Sequence, residues 1–216
     1  MSLRIGIDVG GTNTDAVLMD GLRVVAKIKT PTTPDVTTGI TTALRHVLET
    51  SGTETTQIAG VMIGTTHFTN AVVERRRLQP TAAVRLGLPA TAALPPMVDW
   101  PDDLAETLGR HTYLCHGGYE FDGREISKFD PDEIKRVAAD IAAKGIQAIA
   151  VSSVFSPVNP QMEREAAAIL EQEVPGAHVT LSSEIGRIGL LERENAAILN
   201  ACLRHLAKET VAAFKR

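Results

Sequence analysis

The sequence predicts an α/β protein whose sheet opens antiparallel and continues with parallel pairing. Three observations predict it. The chain starts strand–turn–strand between Leu3 and Lys29, and strand and helix patterns alternate through the second half. The apolar run Ile146 to Val154 has the composition of a strand buried on both faces. A chain of 216 residues, 44% hydrophobic and 22% charged, is long enough for one or two domains and is neither disordered nor collagen-like.

The first strand, from Leu3, runs into the glycine turn Gly10-Gly11. Ala16 to Asp20 and Val24 to Lys29 form two more strands, with Asp20-Gly21 as the tight-turn signal between them. A helical period follows from Asp35, placing Val36, Ile40, Leu44, Val47 and Leu48 on one face, and Gly52 closes it. Ile58 to Ile63 is a short strand that Gly64-Thr65-Thr66-His67 turns into a helix carrying Ala71 to Val73. Thr81 to Leu86 is the next strand, and the prolines between Gly87 and Pro101 break any regular element there. His111 to Ile126 reads as a β-hairpin turning at Asp122-Gly123. Asp130-Pro131-Asp132-Glu133 is a helix start: a capping acid, proline at the first position and acids at the positive helix end. Asn159-Pro160 opens a further helix, His178 to Leu181 is a strand, and a last helix runs from about Glu192 to Lys215.

Charge and composition narrow the function. Twenty-two basic residues against 26 acidic ones give a net charge of −4, with no basic footprint for nucleic acid or an anionic membrane. No run approaches the ~20 apolar residues of a membrane span. Two cysteines, Cys115 and Cys202, make no disulfide framework, which fits a cytoplasmic protein. His111, Cys115 and His116 match no structural zinc spacing.

The sharpest chemical signal is Asp8-Val9-Gly10-Gly11-Thr12-Asn13-Thr14-Asp15. Adjacent glycines let the backbone approach a phosphate chain and point N–H groups at it. Thr12 and Thr14 add hydroxyl donors. Asp8, at the strand end, can hold magnesium through water, because that ion gives up its hydration reluctantly. An ordinary tight turn with carboxylates capping the backbone is the alternative. Neither the dinucleotide fingerprint nor the Walker loop fits this spacing. The second signal is Gly64-Thr65-Thr66-His67-Phe68-Thr69-Asn70, where a helix N-terminus offers N–H groups to an anion. Asn70 can orient a substrate or phosphate oxygen, and His67 suits hydrogen bonding better than proton carriage at that helix end. Thr65 or Thr66 as a plain helix cap is the competing explanation. Glu192, Arg193, Glu194 and Asn195 form a polar cluster that either faces a substrate or starts the last helix.

Arg4 to Asp15 resembles the first phosphate loop of the actin-like ATPase superfamily, whose domain is ribonuclease H-like. More narrowly, Gly64 to Arg75, Phe155-Ser-Pro-Val-Asn-Pro160, Ser183-Glu-Ile185 and Glu192-Arg193 ahead of Ile198-Leu-Asn-Ala201 are similar to successive stretches of the hydantoinase A/5-oxoprolinase family. Position 13, commonly Phe there, is Asn13. The resemblance implies the N-terminal, nucleotide-binding part of an ATP-dependent hydrolase that opens cyclic amides by phosphorylating the substrate oxygen. A small-molecule kinase or a non-catalytic nucleotide-binding scaffold is the alternative. It implies ATP and magnesium as cofactors, Asp8 and Asp15 as catalytic carboxylates, and Asp8 as the magnesium holder. It assigns Gly10 to Thr14 and Gly64 to Thr66 to phosphate, and His67 and Asn70 to substrate. It divides the chain into an ATPase subdomain at 3–86, a continuation with an inserted loop at 87–185, and a helix entering a large central domain at 186–216. Such a chain is expected to work with a C-terminal half or partner subunit, in a homo- or hetero-oligomer.

Overall fold

The computed structural model describes residues 3–33 and 36–214, so Asp35, from which the sequence shows a helical period, and Lys215, the expected end of the last helix, lie outside the described residues. The chain divides into two compact units, Met1–Arg76 with Leu206–Arg216, and Arg77–His205.

In the first unit, β1 (Leu3–Val9), β2 (Asn13–Asp20) and β3 (Arg23–Pro31) form an antiparallel meander. The two-residue connection between β2 and β3 has Gly21 at φ 58°, a left-handed position that glycine tolerates without a Cβ clash. Helix α1 (Val36–Ser51) then carries the chain back across the sheet. It delivers β4 (Ile58–Thr65) parallel to β1, giving the strand order β3-β2-β1-β4. Period-two alternation sends Ile5, Ile7, Val9, Ala16 and Leu18 to one face, where they pack against Ile40, Ala43 and Val47 of α1. Leu44 and Leu48 flank that core half-buried. Val36 belongs to the predicted stripe, but its side chain lies outside the described residues. Helix α2 (His67–Glu74) follows β4 and ends with Arg75 in the left-handed conformation at φ 55°.

The second unit holds an all-parallel sheet in the order β6-β5-β7-β8. Its strands are β5 (Thr81–Leu88), β6 (His111–His116), β7 (Ala148–Ser153) and β8 (His178–Leu181). Helices α3 (Asp102–Leu108), α4 (Pro131–Ala143) and α5 (Gln161–Glu173) form crossovers between them. A short α6 (Ser182–Ile185) precedes the 25-residue α7 (Leu190–Phe214). Every residue of β7 is buried, as its β-branched and apolar run requires for a strand covered on both faces. Asp130 caps α4 by accepting from the Asp132 N–H at 2.9 Å.

Two expectations need correction. His111 to Ile126 is not a hairpin: His111–His116 joins the parallel sheet beside β5, and the Asp122-Gly123 signal closes only the bridge Tyr119–Glu125. The reason lies between them. Gly117 and Gly118 turn the chain at φ 131° and 85°, and a Cβ on Gly118 would lie 3.1 Å from the Leu86 carbonyl oxygen. Second, the sequence reading omitted α3, although Leu104, Ala105 and Leu108 bury one face behind the first-turn acids Asp102 and Asp103. The compact units part at residues 76/77, and β5 is an interior strand of the second sheet.

Candidate functional site

Alternation decides where the candidate carboxylates go. With Ile7 and Val9 facing α1, Asp8 between them must face the other way, and it is exposed. In the antiparallel register Asp8 stands directly opposite Asp15 of β2. Two carboxylates so placed have Cβ atoms about 5 Å apart and repel each other. Asp15 is in turn opposite Lys29 of β3, whose ammonium lies 3.5 Å from its carboxylate and offsets part of that repulsion. On the other side of Asp8 stands Gly64 of β4, where a Cβ would come within 3.6 Å of Asp8 Oδ1. A groove of about 810 Å³ runs along this outer face, lined among others by Asp8, Asp15, Lys29, Val17, Met62 and Gly64.

The glycine turn sits at the end of that face. The Gly10 N–H donates to the Asn13 carbonyl at 2.9 Å, which closes the connection between β1 and β2. Gly11 and Thr12 are exposed at its tip. A Cβ at Gly11 would meet Asn70 Nδ2 at 2.9 Å, so any other residue there would push the Asn70 side chain aside. Asn70, on the first turn of α2, therefore touches the glycine turn and also donates to Thr66 Oγ1 at 3.4 Å. The Thr66 N–H donates to the Val9 carbonyl at 3.3 Å and ties the end of β4 to the end of β1.

The two sequence signals thus meet at one edge of one sheet, and not every residue in them faces outward. Thr14 is fully buried, with its hydroxyl 3.3 Å from that of Thr32, so it supports the turn from inside. Thr65 Oγ1 accepts from the His67 N–H at 3.1 Å and lies 3.0 Å from His67 Nδ1. The N-cap position itself is held by Thr66, whose side chain makes no capping hydrogen bond. His67 is half-buried against it. Asp8, Gly11, Thr12, Gly64, Thr66 and Thr69 are the exposed members.

Sequence reasoning overlooked Lys29 and Thr32. Lys29 carries no motif of its own, and only the β2–β3 register brings it to Asp15. Thr32 follows the end of β3 in the run Thr30-Pro31-Thr32-Thr33, and its N–H donates to the Thr12 carbonyl at 2.9 Å.

In the cluster at the start of the last helix, Arg193 and Glu194 have a structural role. Arg85 on β5 donates to Glu194 through Nε at 2.7 Å and Nη2 at 2.5 Å, and the Ser152 hydroxyl donates to the same carboxylate at 2.6 Å. Arg193 donates to the Ser182 hydroxyl at 2.7 Å and to the Ser153 carbonyl at 2.5 Å. Arg85, Arg193 and Glu194 are all buried, so none of them faces a substrate. Burial also pushes the thiols of Cys115 and Cys202 up to about 12, which removes both as nucleophiles near neutral pH. Among the described residues no three His, Cys, Asp or Glu side chains gather as a metal site, and no helix is long and apolar enough to cross a membrane.

A family model for the hydantoinase/oxoprolinase N-terminal region matches residues 4–174, and the chain belongs to that family. Caprolactamase subunit alpha of Pseudomonas jessenii is 29% identical, over 93% of this chain and 31% of its own length. The acetophenone carboxylase gamma subunit of Aromatoleum aromaticum is 25% identical, over 97% of this chain and 32% of its own. Among solved structures, nucleotide-free acetone carboxylase superposes with a TM-score of 0.82 at 20% identity, over 99% of this chain and 34% of that one. The ATP-dependent caprolactamase from P. jessenii superposes at 0.78 with 25% identity, over 98% and 33%. The chain spans about a third of the length of the relatives it matches. The fold class is the predicted α/β one: a mixed sheet opening on an antiparallel hairpin, with a further α/β segment, as in the acetone carboxylase and caprolactamase structures.

Proposed function

We propose that this chain is the N-terminal nucleotide-binding part of an ATP-dependent hydrolase that opens cyclic amides of the hydantoin or 5-oxoproline type by phosphorylating the amide oxygen. The observation that carries the reading is the alignment of Asp8 and Asp15 across β1 and β2 beside the Gly10–Asn13 turn, on the open face of the sheet. Family membership and the likeness to an ATP-dependent caprolactamase support it.

Phosphoryl transfer asks little covalent chemistry of a protein and much positioning and charge stabilisation. The turn between β1 and β2 supplies backbone N–H groups for phosphate oxygens. Asp8 and Asp15 supply the carboxylates that would hold a hydrated magnesium ion, since that ion is bound by one or two carboxylates, its own waters and substrate phosphates. When bound, magnesium neutralises charge on the phosphates. Lys29 holds Asp15 in place by its ion pair. Asn70 and His67, at the start of α2, are assigned to a substrate carbonyl; Asn70 lies against the glycine turn, which supports the assignment. The activity requires the remaining two thirds of a protein of the relatives' length, or a partner subunit, to complete the site.

A second reading differs in the acceptor. The carboxylase relative is 25% identical and the caprolactamase subunit 29%, so a ketone oxygen is the other candidate acceptor. Substrate-dependent phosphate release from Mg-ATP by the native protein, with hydantoin, 5-oxoproline and caprolactam tried in turn and a ketone with bicarbonate as comparison, separates the two. Asp8→Ala is expected to lower that turnover by about 100-fold or more without unfolding the chain. Unchanged turnover would remove Asp8 from the mechanism.

A further inference from the structure

Thr32 is joined to the glycine turn twice, on either side of its tip. Its hydroxyl donates to the Gly10 carbonyl at 2.8 Å and its backbone N–H donates to the Thr12 carbonyl at 2.9 Å. The same hydroxyl lies 3.3 Å from the buried Thr14 hydroxyl, so the loop after β3 and the start of β2 share one polar contact beneath the turn.

The consequence follows from peptide geometry. A trans peptide unit is planar, with its C=O and the next N–H pointing in opposite directions. Holding the Gly10 carbonyl toward Thr32 therefore sends the Gly11 N–H away from Thr32. Holding the Thr12 carbonyl the same way sends the Asn13 N–H away. A glycine pair left to itself samples many orientations of these two peptide planes, because glycine is the most permissive residue in φ and ψ.

We propose that Thr32 is the positioning residue of the anion site: by pinning the Gly10 and Thr12 carbonyls it presents the Gly11 and Asn13 amides outward to a phosphate. This rests on the phosphate-binding reading of the turn and adds to it which amides bind and what aims them. Thr32 acts through the backbone of residues 10–13.

The test is Mg-ATP titration of the native protein by calorimetry, with Thr32→Val, Thr32→Ser and the wild type side by side. Valine keeps the shape and the backbone N–H bond and removes the hydroxyl; serine keeps the hydroxyl. Losing one oriented amide should weaken Mg-ATP about tenfold in Thr32→Val, while Thr32→Ser stays within about twofold of wild type. Amide exchange of the nucleotide-free proteins should rise in the segment spanning residues 10–13 in the valine variant only, and this readout does not depend on nucleotide. Equal affinity in wild type and Thr32→Val would overturn the proposal and leave the phosphate-binding reading intact. Failure of wild type to bind Mg-ATP would overturn that reading, and this proposal with it. If Thr32→Val does not fold, Thr32→Ala takes its place under the same two criteria.

Discussion

Asp8 and Glu194 are both carboxylates set against a four-stranded sheet, one in each compact unit, and their surroundings are opposite. Asp8 lies on an open face, across from a second carboxylate and beside a glycine, in a groove wide enough for a ligand. Glu194 is buried, with both oxygens taken by the Arg85 guanidinium and one also by Ser152. The first arrangement leaves charge facing outward at a cost to the fold; the second spends its charge on holding α7 to the sheet. The charge of Glu194 is spent on architecture, whereas that of Asp8 is left open to a ligand, as the proposed function requires.

Removing one side of each arrangement sharpens the contrast most. Glu194→Ala leaves the Arg85 cation buried without its counter-charge and should destabilise the chain by about 3–5 kcal/mol in urea unfolding. Asp8→Ala should change the same midpoint by no more than about 0.5 kcal/mol, since it removes an exposed group that a like charge opposes. Comparable losses at both positions would break the comparison.

The thiols give the next effect. With both raised to about 12 by burial, Cys115 and Cys202 stay neutral at pH 8, and their reactive thiolate fraction is negligible in the native chain. A colourimetric thiol reagent at pH 8 should find essentially none of the two until urea unfolds the protein. Fast labelling of either in the native state would mean that the second unit's core opens far more readily than its packing implies.

How much of this could be read from the sequence depended on how local the determinant was. The glycine turn, Asp8, Asp15, the Asp130-Pro131 helix start and the β7 run all declare themselves within a few residues. The face on which Asp8 lies also follows from the alternation of Ile5, Ile7 and Val9. What could not be read was set by pairing at a distance. His111–His116 looks like half of a hairpin until β5 takes it as a parallel neighbour. Lys29 and Thr32 acquire meaning only through the β2–β3 register, and Glu194 only through a strand 109 residues away. Thr14 was assigned to phosphate because it stands in the motif, but the pleat turns it inward.

Smaller effects complete the series. Asp130→Ala removes the cap of α4 and should cost about 1 kcal/mol, read by the same urea titration. Lys29→Gln breaks an exposed ion pair and should cost less than about 1 kcal/mol, a loss that shrinks as salt is added. A salt-independent loss would mean that Lys29 matters through packing rather than charge.

The most direct test of the central claim is hydrogen–deuterium exchange of the native protein with and without Mg-ATP. The account predicts slowed exchange in peptides covering residues 8–14, and no change at the other glycine turn, residues 117–125. Bound nucleotide with unchanged exchange over residues 8–14 would contradict the assignment of this turn as the phosphate site.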